Sequence, residues 1–374
     1  MHLQKKLKRK KRVVVSVTTD LNTDQRVQKV CKTLHKNGFE VLLIGRFLRD
    51  STPAYYPFRA VQMKLFFTKK FLFYANFNIR LFFKLLFTRK DILLSNDLDT
   101  LLSNYLVSKI CRKKLVYDSH ELFTELPELV DRPFVKTIWT FIERSILPKL
   151  THCYTVCGSI SNYYENLYGT KFGIINNFPL KILKSRHVND ETPTGINISD
   201  EKIILYQGAL NVKRGLELMI EAMNFIEKSI LVIVGGGPTE RDLKKQVRDL
   251  KLENKVKFLS KLPPHELQKI TPKADLGISL EEDKGLNYRY ALPNKLFDYI
   301  QAHVPVLVSD LPEMKKIVEQ YDVGEIVKSR EPQNLASQVT ELLKRKKNYQ
   351  PALEKASKDL IWENQEKVLL SYFE

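Results

Sequence analysis

RYALPNKLFDYIQAHVPVLVSD, Arg289 to Asp310, joins a polar loop, a helical stretch and an apolar strand within a few turns of chain. Pro293 stands where a first helical turn begins, and its missing N–H costs nothing there. Asn294 and Asp298 are four apart and Lys295 and Asp298 three apart, so on a helix all three share a face. Free N–H groups at such a helix start favour a phosphate, the Lys295 ammonium adds charge, and a carboxylate one turn on can accept from ribose hydroxyls. The same residues read equally well as an ordinary capped helix followed by a core strand. The decision rests on what else shares their sheet.

Outward from this stretch, apolar runs alternate with helical stretches along the whole chain. Val13–Val17, Val41–Ile44, Ile92–Leu94, Leu115–Tyr117 and Cys153–Val156 read as buried strands of a first sheet. Ile203–Tyr206, Ile230–Val234, Val256–Phe258, Leu276–Ile278 and Val306–Val308 read as a second. Interleaved amphipathic helices such as Gln25–Asn37 and Leu216–Phe225 argue for two parallel-sheet α/β domains. A length of 374 residues also suggests two. The expected division is 1–180, a polar linker at 181–200 holding Pro193 and Gly195, a second domain at 201–358, and a terminal helical segment at 359–374. Ligands of open α/β sheets lie beyond the carboxyl ends of the strands, so candidate chemistry is sought there.

The net charge of +18 is concentrated, with residues 1–90 holding 21 Lys and Arg against four Asp and Glu. A basic half on a balanced chain implies a polyanionic partner, either nucleic acid or an anionic membrane surface. Against nucleic acid, the aromatics sit in apolar blocks and no RRM-type or zinc-finger pattern occurs. For the membrane, the cluster KKLKRKKR (Lys5–Arg12) precedes Val13–Val17, a run shorter than the roughly 7 to 15 residues of a signal-peptide core and therefore read as strand one. Met63–Lys90 is dense in Phe and Leu yet carries Lys69, Lys70, Arg80 and Lys84. Each such charge costs about 2.5–3.5 kcal/mol at mid-bilayer, which disfavours a spanning helix. With Lys69, Asn76, Arg80 and Lys84 as a polar stripe, an interfacial helix at an anionic leaflet is expected, because the apolar face is wider than a core needs; the other reading is a domain helix with that face as core. Cys31, Cys111, Cys153 and Cys157 form no disulfide framework and are expected as buried thiols in a reducing cytoplasm, Cys153 and Cys157 on one face of a strand.

Chemistry-bearing residues gather at strand ends. After the second domain's first strand, YQGALNVKRG (Tyr206–Gly215) offers Gly208 for close backbone approach, with Lys213 and Arg214 just before a helix start where a diphosphate would be stabilised. VGGGP (Val234–Pro238) lacks the full G-x-G-x-x-G spacing and reads as a tight strand-to-helix turn, its Gly236 lining the ligand side. In the first domain VYDSHELFTELPEL (Val116–Leu129) sets Asp118, His120 and Glu121 at a strand's carboxyl end. His120 suits a sugar hydroxyl or a leaving group, with Asp118 orienting it. The loop Ser16–Arg26 ends strand one, where Thr23 and Arg26 face a ligand or form an N-cap sequence. Asp97 and Asp99 resemble a metal-binding pair, but capping of a helix by Asp97 or Asp99 is expected instead, and no transition-metal spacing occurs.

Together these segments resemble the GT-B glycosyltransferases of family 4, also called group 1. The resemblance runs through the basic first strand, DSHE, YQG with Arg214, VGGGP, LPNKLFDYI with HVPVLVSD, and the closing IWENQEKVLLSYFE. It implies an α/β GT-B fold: two Rossmann-like parallel-sheet domains facing across a cleft, acceptor in the first, nucleotide-diphosphate sugar in the second, and a final helix crossing back. It also implies retention of anomeric configuration, no cofactor beyond the nucleotide sugar as co-substrate, and no essential metal. By position Asp298 corresponds to the second acid of the family's E-x7-E pattern, which holds the donor ribose. Arg214 corresponds to the residue on the diphosphate, and His120 to the His near the donor sugar. Tyr290 replaces the first acid and Ala209 the usual Arg after the first glycine, and the Pro-Asn-Lys variant offers Asn294 and Lys295 for those contacts.

The expected activity is therefore sugar transfer to a lipid-linked or cell-envelope glycan acceptor, at the cytoplasmic face of an anionic membrane, without nucleic acid. Alternatives are a non-catalytic scaffold of the same fold and a nucleic-acid-binding protein.

Overall fold

The computed structural model describes residues 9–47, 55–67, 70–126, 129, 132–181 and 201–374. Lys5, Lys6 and Lys8 of the basic cluster, Lys69, and all of the expected linker except Lys181 lie outside the described residues.

Runs such as Val13–Val17 are buried on both faces, at 0–1% exposure, as strands covered by helices on two sides require. Among the described residues they build two all-parallel sheets. The first contains β1 (Arg12–Asp20), β2 (Glu40–Arg46), β3 (Arg59–Gln62), β4 (Ile92–Asn96), β5 (Lys114–Ser119), β6 (Cys153–Thr155) and β7 (Gly173–Ile174), in the order β3-β2-β1-β4-β5-β6-β7. The second contains β8 (Lys202–Gln207), β9 (Ser229–Val234), β10 (Val256–Leu259), β11 (Leu276–Ser279), β12 (Val306–Val308) and β13 (Gly324–Ile326), in the order β10-β9-β8-β11-β12-β13. The direction of connection reverses between β1 and β4 and between β8 and β11, the switch points where open α/β sheets bind ligands.

Three strands have no counterpart in the sequence reading. β3, β7 and β13 are edge strands of two to four residues, too short to carry a periodic signal. The Cys153–Cys157 pairing on one strand face is corrected: β6 ends at Thr155, and Cys157 takes the N-cap position of the Gly158–Tyr168 helix. None of the four cysteines forms a disulfide; Cys31, Cys153 and Cys157 are buried as expected, whereas Cys111 is half-buried.

The chain divides into one unit of Met1–Asn177 with Gln365–Glu374 and another of Phe178–Asn364. Both boundaries differ by a few residues from the expected ones. The Phe178 ring packs edge-on to Phe297 at 4.8 Å, and the Trp362 N–H donates to the Pro179 carbonyl at 2.8 Å, so both segments are tied to the second unit. The terminal Glu366–Ser371 helix packs on the first. Glu366 accepts from Thr33 Oγ1 at 3.0 Å, and Gln365 Oε1 accepts from the Asn176 N–H at 3.1 Å. Tyr372 lies 5.1 Å from the Tyr154 ring and fills the space beside Gly173, where a Cβ would stand 1.8 Å from its hydroxyl.

The helix α2 (Lys70–Phe87) resolves the two readings of Met63–Lys90 into two faces. Phe73, Phe77, Leu81 and Leu85, spaced four apart, are buried against the first sheet. Leu72, Ile79 and Phe83 stay exposed. The expected polar stripe is partly occupied: Asn76 Oδ1 accepts from the Phe66 N–H at 3.0 Å, and the Arg80 guanidinium lies 4.9 Å over the Phe66 ring. Among the described residues no helix is long and apolar enough to cross a membrane.

Candidate functional site

Each unit carries its own cluster at the carboxyl ends of the strands beside its switch point. In the first, β4 and β5 run side by side with Asn96 opposite Asp118, so the residues just beyond them meet. Asp97 adopts φ 55°, a region that costs a non-glycine residue of order 1–3 kcal/mol. Its N–H donates to the Asp118 carbonyl at 2.8 Å. Its carboxylate accepts from the His120 N–H at 2.8 Å and stands 3.2 Å from His120 Nδ1. His120 Nε2 lies 3.3 Å from Asp118 Oδ2 but is not aligned to bond it.

The helix-cap reading of Asp97 and Asp99 is thereby corrected. Asp97 occupies the N-cap position of α3 (Leu98–Cys111) without capping it through its side chain, and Asp99 accepts from Thr18 Oγ1 of β1. Competition from His120 and Thr18 decides this, since a carboxylate turned to them cannot also face the helix amides. Among the described residues no group of three His, Cys, Asp or Glu is placed to hold a metal.

Burial would strip His120 of its proton, but Asp97 and Asp118 on either side outweigh it and push the imidazole up to about 10. Burial pushes Asp97 up to about 8, with Glu121 and Asp99 adding to the shift, and Asp99 up to about 7. Asp118 moves the other way: despite complete burial, Arg26 and His120 hold it below the usual carboxylate range. Of the acids beside His120, Asp118 is thus the one whose negative charge its surroundings favour.

Arg26, expected on the acceptor side, is 3% exposed and clamps Asp118, donating from Nε at 3.0 Å and Nη2 at 2.8 Å, while Nη1 reaches the Ile175 carbonyl at 2.8 Å. It points inward because the N-cap of α1 (Gln25–Lys36) is Asp24, whose Oδ1 accepts from the Val27 N–H at 3.0 Å. Thr23 is exposed and does not cap; its N–H donates to the Asp20 carbonyl at 3.1 Å. Glu121 is half-buried beside the cluster.

The second cluster centres on a residue the sequence reading did not single out. Glu281, two residues beyond β11, is fully buried and accepts from Ser279 Oγ at 2.7 Å. Its Oε1 lies 2.8 Å from Lys295 Nζ and 3.3 Å from Arg214 Nη1. Despite burial, those two cations and Ser279 hold Glu281 below the usual carboxylate range. Lys295 is 7% exposed, with its ammonium 4.0 Å over the Tyr206 ring. Burial lowers its pKa, opposed by Glu281. Arg214 is half-buried with its guanidinium 5.6 Å over Tyr288. Its Nε is buried with no acceptor among the described residues. An acid directly after a buried strand, as in ISLEED, was the available signal for Glu281.

The residues expected at the donor lie on the following elements. Pro293 is the N-cap, one position before the helical turn expected to contain it, and Asn294–Gln301 is the helix. Asn294 is exposed, Tyr290 and Asp298 are half-buried, and Asp298 Oδ2 accepts from Gln207 Nε2 at 2.9 Å. Lys295 does not share their exposure, because its ammonium turns inward to Glu281. The glycine turns bring backbones together: a Cβ on Gly235 would stand 1.9 Å from the Gly208 carbonyl oxygen, and one on Gly215 would stand 2.1 Å from that of Leu280. Gly208, at φ 140°, and Lys213, at φ 64°, are exposed, and Gly236 is half-buried.

Residues 189–359 match the family described as glycosyl transferases group 1. Over 253 residues, 61% of this chain and 54% of the relative, the chain is 25% identical to a chitobiosyldiphosphodolichol beta-mannosyltransferase of Candida albicans. Over 195 residues, 50% of this chain and 47% of the relative, it is 28% identical to an uncharacterized glycosyltransferase of Methanocaldococcus jannaschii. The chain spans about half the length of the curated relatives it matches. Among solved structures, sucrose-phosphate synthase from Thermosynechococcus elongatus aligns with a TM-score of 0.80 at 14% identity, covering 97% of this chain and 98% of that one. HepE of Anabaena in complex with UDP aligns with a TM-score of 0.74 at 13% identity, covering 97% and 99%. These likenesses establish the fold, which is GT-B.

Proposed function

The chain carries a glycosyl transferases group 1 domain on a GT-B fold, and from that premise we propose that it moves a sugar from a nucleotide-diphosphate donor to a lipid-linked or cell-envelope glycan acceptor. The observation that carries this reading is the Glu281 centre. A buried carboxylate holds one cation, Lys295, and steadies a second, Arg214, whose buried Nε has no acceptor among the described residues. A diphosphate oxygen is an acceptor of the right charge for that nitrogen. Asp298, one turn into the following helix, is assigned to the ribose hydroxyls, with Tyr290, Asn294, Lys213, Gly208 and Gly236 around the donor.

In the first unit His120, held between Asp97 and Asp118, is assigned to stabilise the departing diphosphate or a sugar hydroxyl, with Asp118 and Asp97 as its orienting groups. Glu121 and Thr23 are assigned to the acceptor, whereas Arg26 acts through Asp118. Catalysis then rests on positioning and electrostatics, with retention of configuration and no essential metal, as family 4 membership would imply. A neighbour solved with UDP supports a nucleotide donor. The name of the Candida relative specifies a diphosphodolichol-linked acceptor and supports a lipid-linked one here. With the basic first unit, this favours a cytoplasmic protein held peripherally at the inner membrane face.

Arg214→Ala and Asp298→Ala should each weaken binding of the nucleotide-sugar donor by about 1.5–3 kcal/mol, the worth of a charged hydrogen bond. Titration calorimetry reads this directly, after a thermal-shift screen of nucleotide sugars has identified the preferred donor. Unchanged affinity in both variants would remove the donor assignment. Turnover should persist in EDTA, and its loss with rescue by Mg would bring Asp97 and Asp99 back as ligands. Tyr290 and Ala209 favour a second reading, a scaffold that binds donor without turning it over; donor hydrolysis with no acceptor added separates the two.

A further inference from the structure

We infer that the outer face of the helical layer formed by α2, α3 and the Pro133–Ile146 helix of the first unit is a docking surface for a bilayer carrying anionic phospholipids. Two basic cavities at the edge where the strands begin would take the headgroup phosphates. The inference rests on the peripheral-membrane part of the proposed function and gives it a surface much wider than one helix.

The three helices pack as one layer. Ser103 Oγ of α3 donates to the Asn78 carbonyl of α2 at 2.8 Å, and Tyr74 of α2 meets Trp139 of the Pro133–Ile146 helix edge-on at 5.4 Å. A helix covering a sheet needs one apolar face, and α2 meets that need with Phe73, Phe77, Leu81 and Leu85. On its opposite side Leu72, Ile79 and Phe83 recur at helical spacing, exposed by 54%, 60% and 54%. The neighbouring helices do the same with Leu106 and Ile110, four apart, and with Phe134 and Phe141, seven apart, the last two exposed by 77% and 71%. Isolated apolar residues on a surface need no explanation, but a layer of three adjacent helices repeating the pattern does.

The charge beside this face is predominantly positive, with Glu40 paired to Arg12, Asp91 to Arg9 and the Glu374 main chain to Lys114. A cavity of about 520 Å³ is lined by Lys109, Arg112, Lys113, Lys114 and Lys149, with no carboxylate in its lining. Among the described residues Lys109, Arg112, Lys113 and Lys149 make no ion pair. Burial, with Lys11 nearby, holds the Lys114 ammonium below its usual value, as crowded positive charge does. A second cavity of about 440 Å³ carries Lys10, Arg12, Arg59, Lys84 and Arg89 against a single acid, Glu40. Arg12, Arg59 and Lys114 begin β1, β3 and β5, and Lys84 and Lys109 lie in the last turns of α2 and α3, so both cavities lie at the same end of the layer. An apolar face edged by an excess of cations fits an anionic leaflet, in which acyl chains take the aromatics and headgroups the lysines.

Sedimentation with phosphatidylcholine vesicles, with and without phosphatidylglycerol, tests this using two variants away from α2. Lys109→Glu/Arg112→Glu/Lys113→Glu should weaken binding to the phosphatidylglycerol vesicles about a hundredfold at low salt, each charge near the surface being worth about 1 kcal/mol. Ile110→Ser/Phe134→Ser/Phe141→Ser should remove the part of the binding that salt leaves behind. Circular dichroism and the thermal shift with the nucleotide sugar selected by the screen should be unchanged in both. Wild-type binding with neither variant impaired would overturn the surface while leaving a peripheral protein. No wild-type binding to either vesicle would overturn the peripheral reading as well, with the thermal shift still reporting separately on the donor site. A dimer in the wild type that the serine variant converts to monomer, without loss of vesicle binding, would make the face a contact between copies and also overturn the inference.

Discussion

His120→Ala should lower turnover by about 10²–10⁴-fold, the usual worth of a positioned acid or base, with little change in donor affinity. The expectation comes from geometry. His120 stands beyond β5 with Nδ1 3.2 Å from Asp97 and Nε2 3.3 Å from Asp118, and Asp118 is itself fixed by Arg26. The pairing raises the imidazole to about 10, above its unfolded value, so the stabilisation it brings is complete below the ordinary histidine pKa. It is lost as pH rises through about 10. Turnover should therefore fall on the alkaline side of the profile, and Asp97→Asn should move that limb to lower pH. A purely structural histidine would lower the melting temperature with no movement of the pH limb, which is how the two roles are told apart.

Glu281→Ala should destabilise the second unit by about 3–5 kcal/mol, the cost of leaving one member of a buried ion pair behind. Lys295, 7% exposed and 2.8 Å from Glu281, would lose its counter-ion, and Arg214 would lose the contact that steadies it. Thermal denaturation measures the first effect and donor titration the second. Glu281→Leu/Lys295→Met should recover stability, since two apolar residues replace two paired charges, yet it should not recover donor binding. A single variant as stable as the wild type would mean that the Lys295 ammonium reaches solvent and that the ion cluster is not closed.

Much of the architecture was legible in the sequence because it is local. Val13–Val15 and Ile230–Val234 are short apolar runs rich in β-branched residues, and their alternation with amphipathic helices pointed to two parallel sheets covered on both faces. Asn294–Gln301 could be placed as a helix from its proline and its spacing, with Asp298 one turn into it, and His120 could be placed near a strand end by counting. What could not be read was anything requiring knowledge of the adjacent strand. Arg26 and Asp118 are 92 positions apart and meet because α1 and β5 converge over the same strand ends. Asp97 looked like a helix cap because the competing donor, His120, comes from the neighbouring strand's end. Glu281 looked like one acid in a polar loop because Arg214 and Lys295 approach it from other elements. For α2 the sequence supplied a helix apolar on most sides, and only packing against the first sheet decided which stripe became core and which stayed exposed. Local pattern fixes which residues stand at a sheet's edge. Long-range strand order, set by burial of both sheet faces, decides which charges must share that edge and so how each is paired.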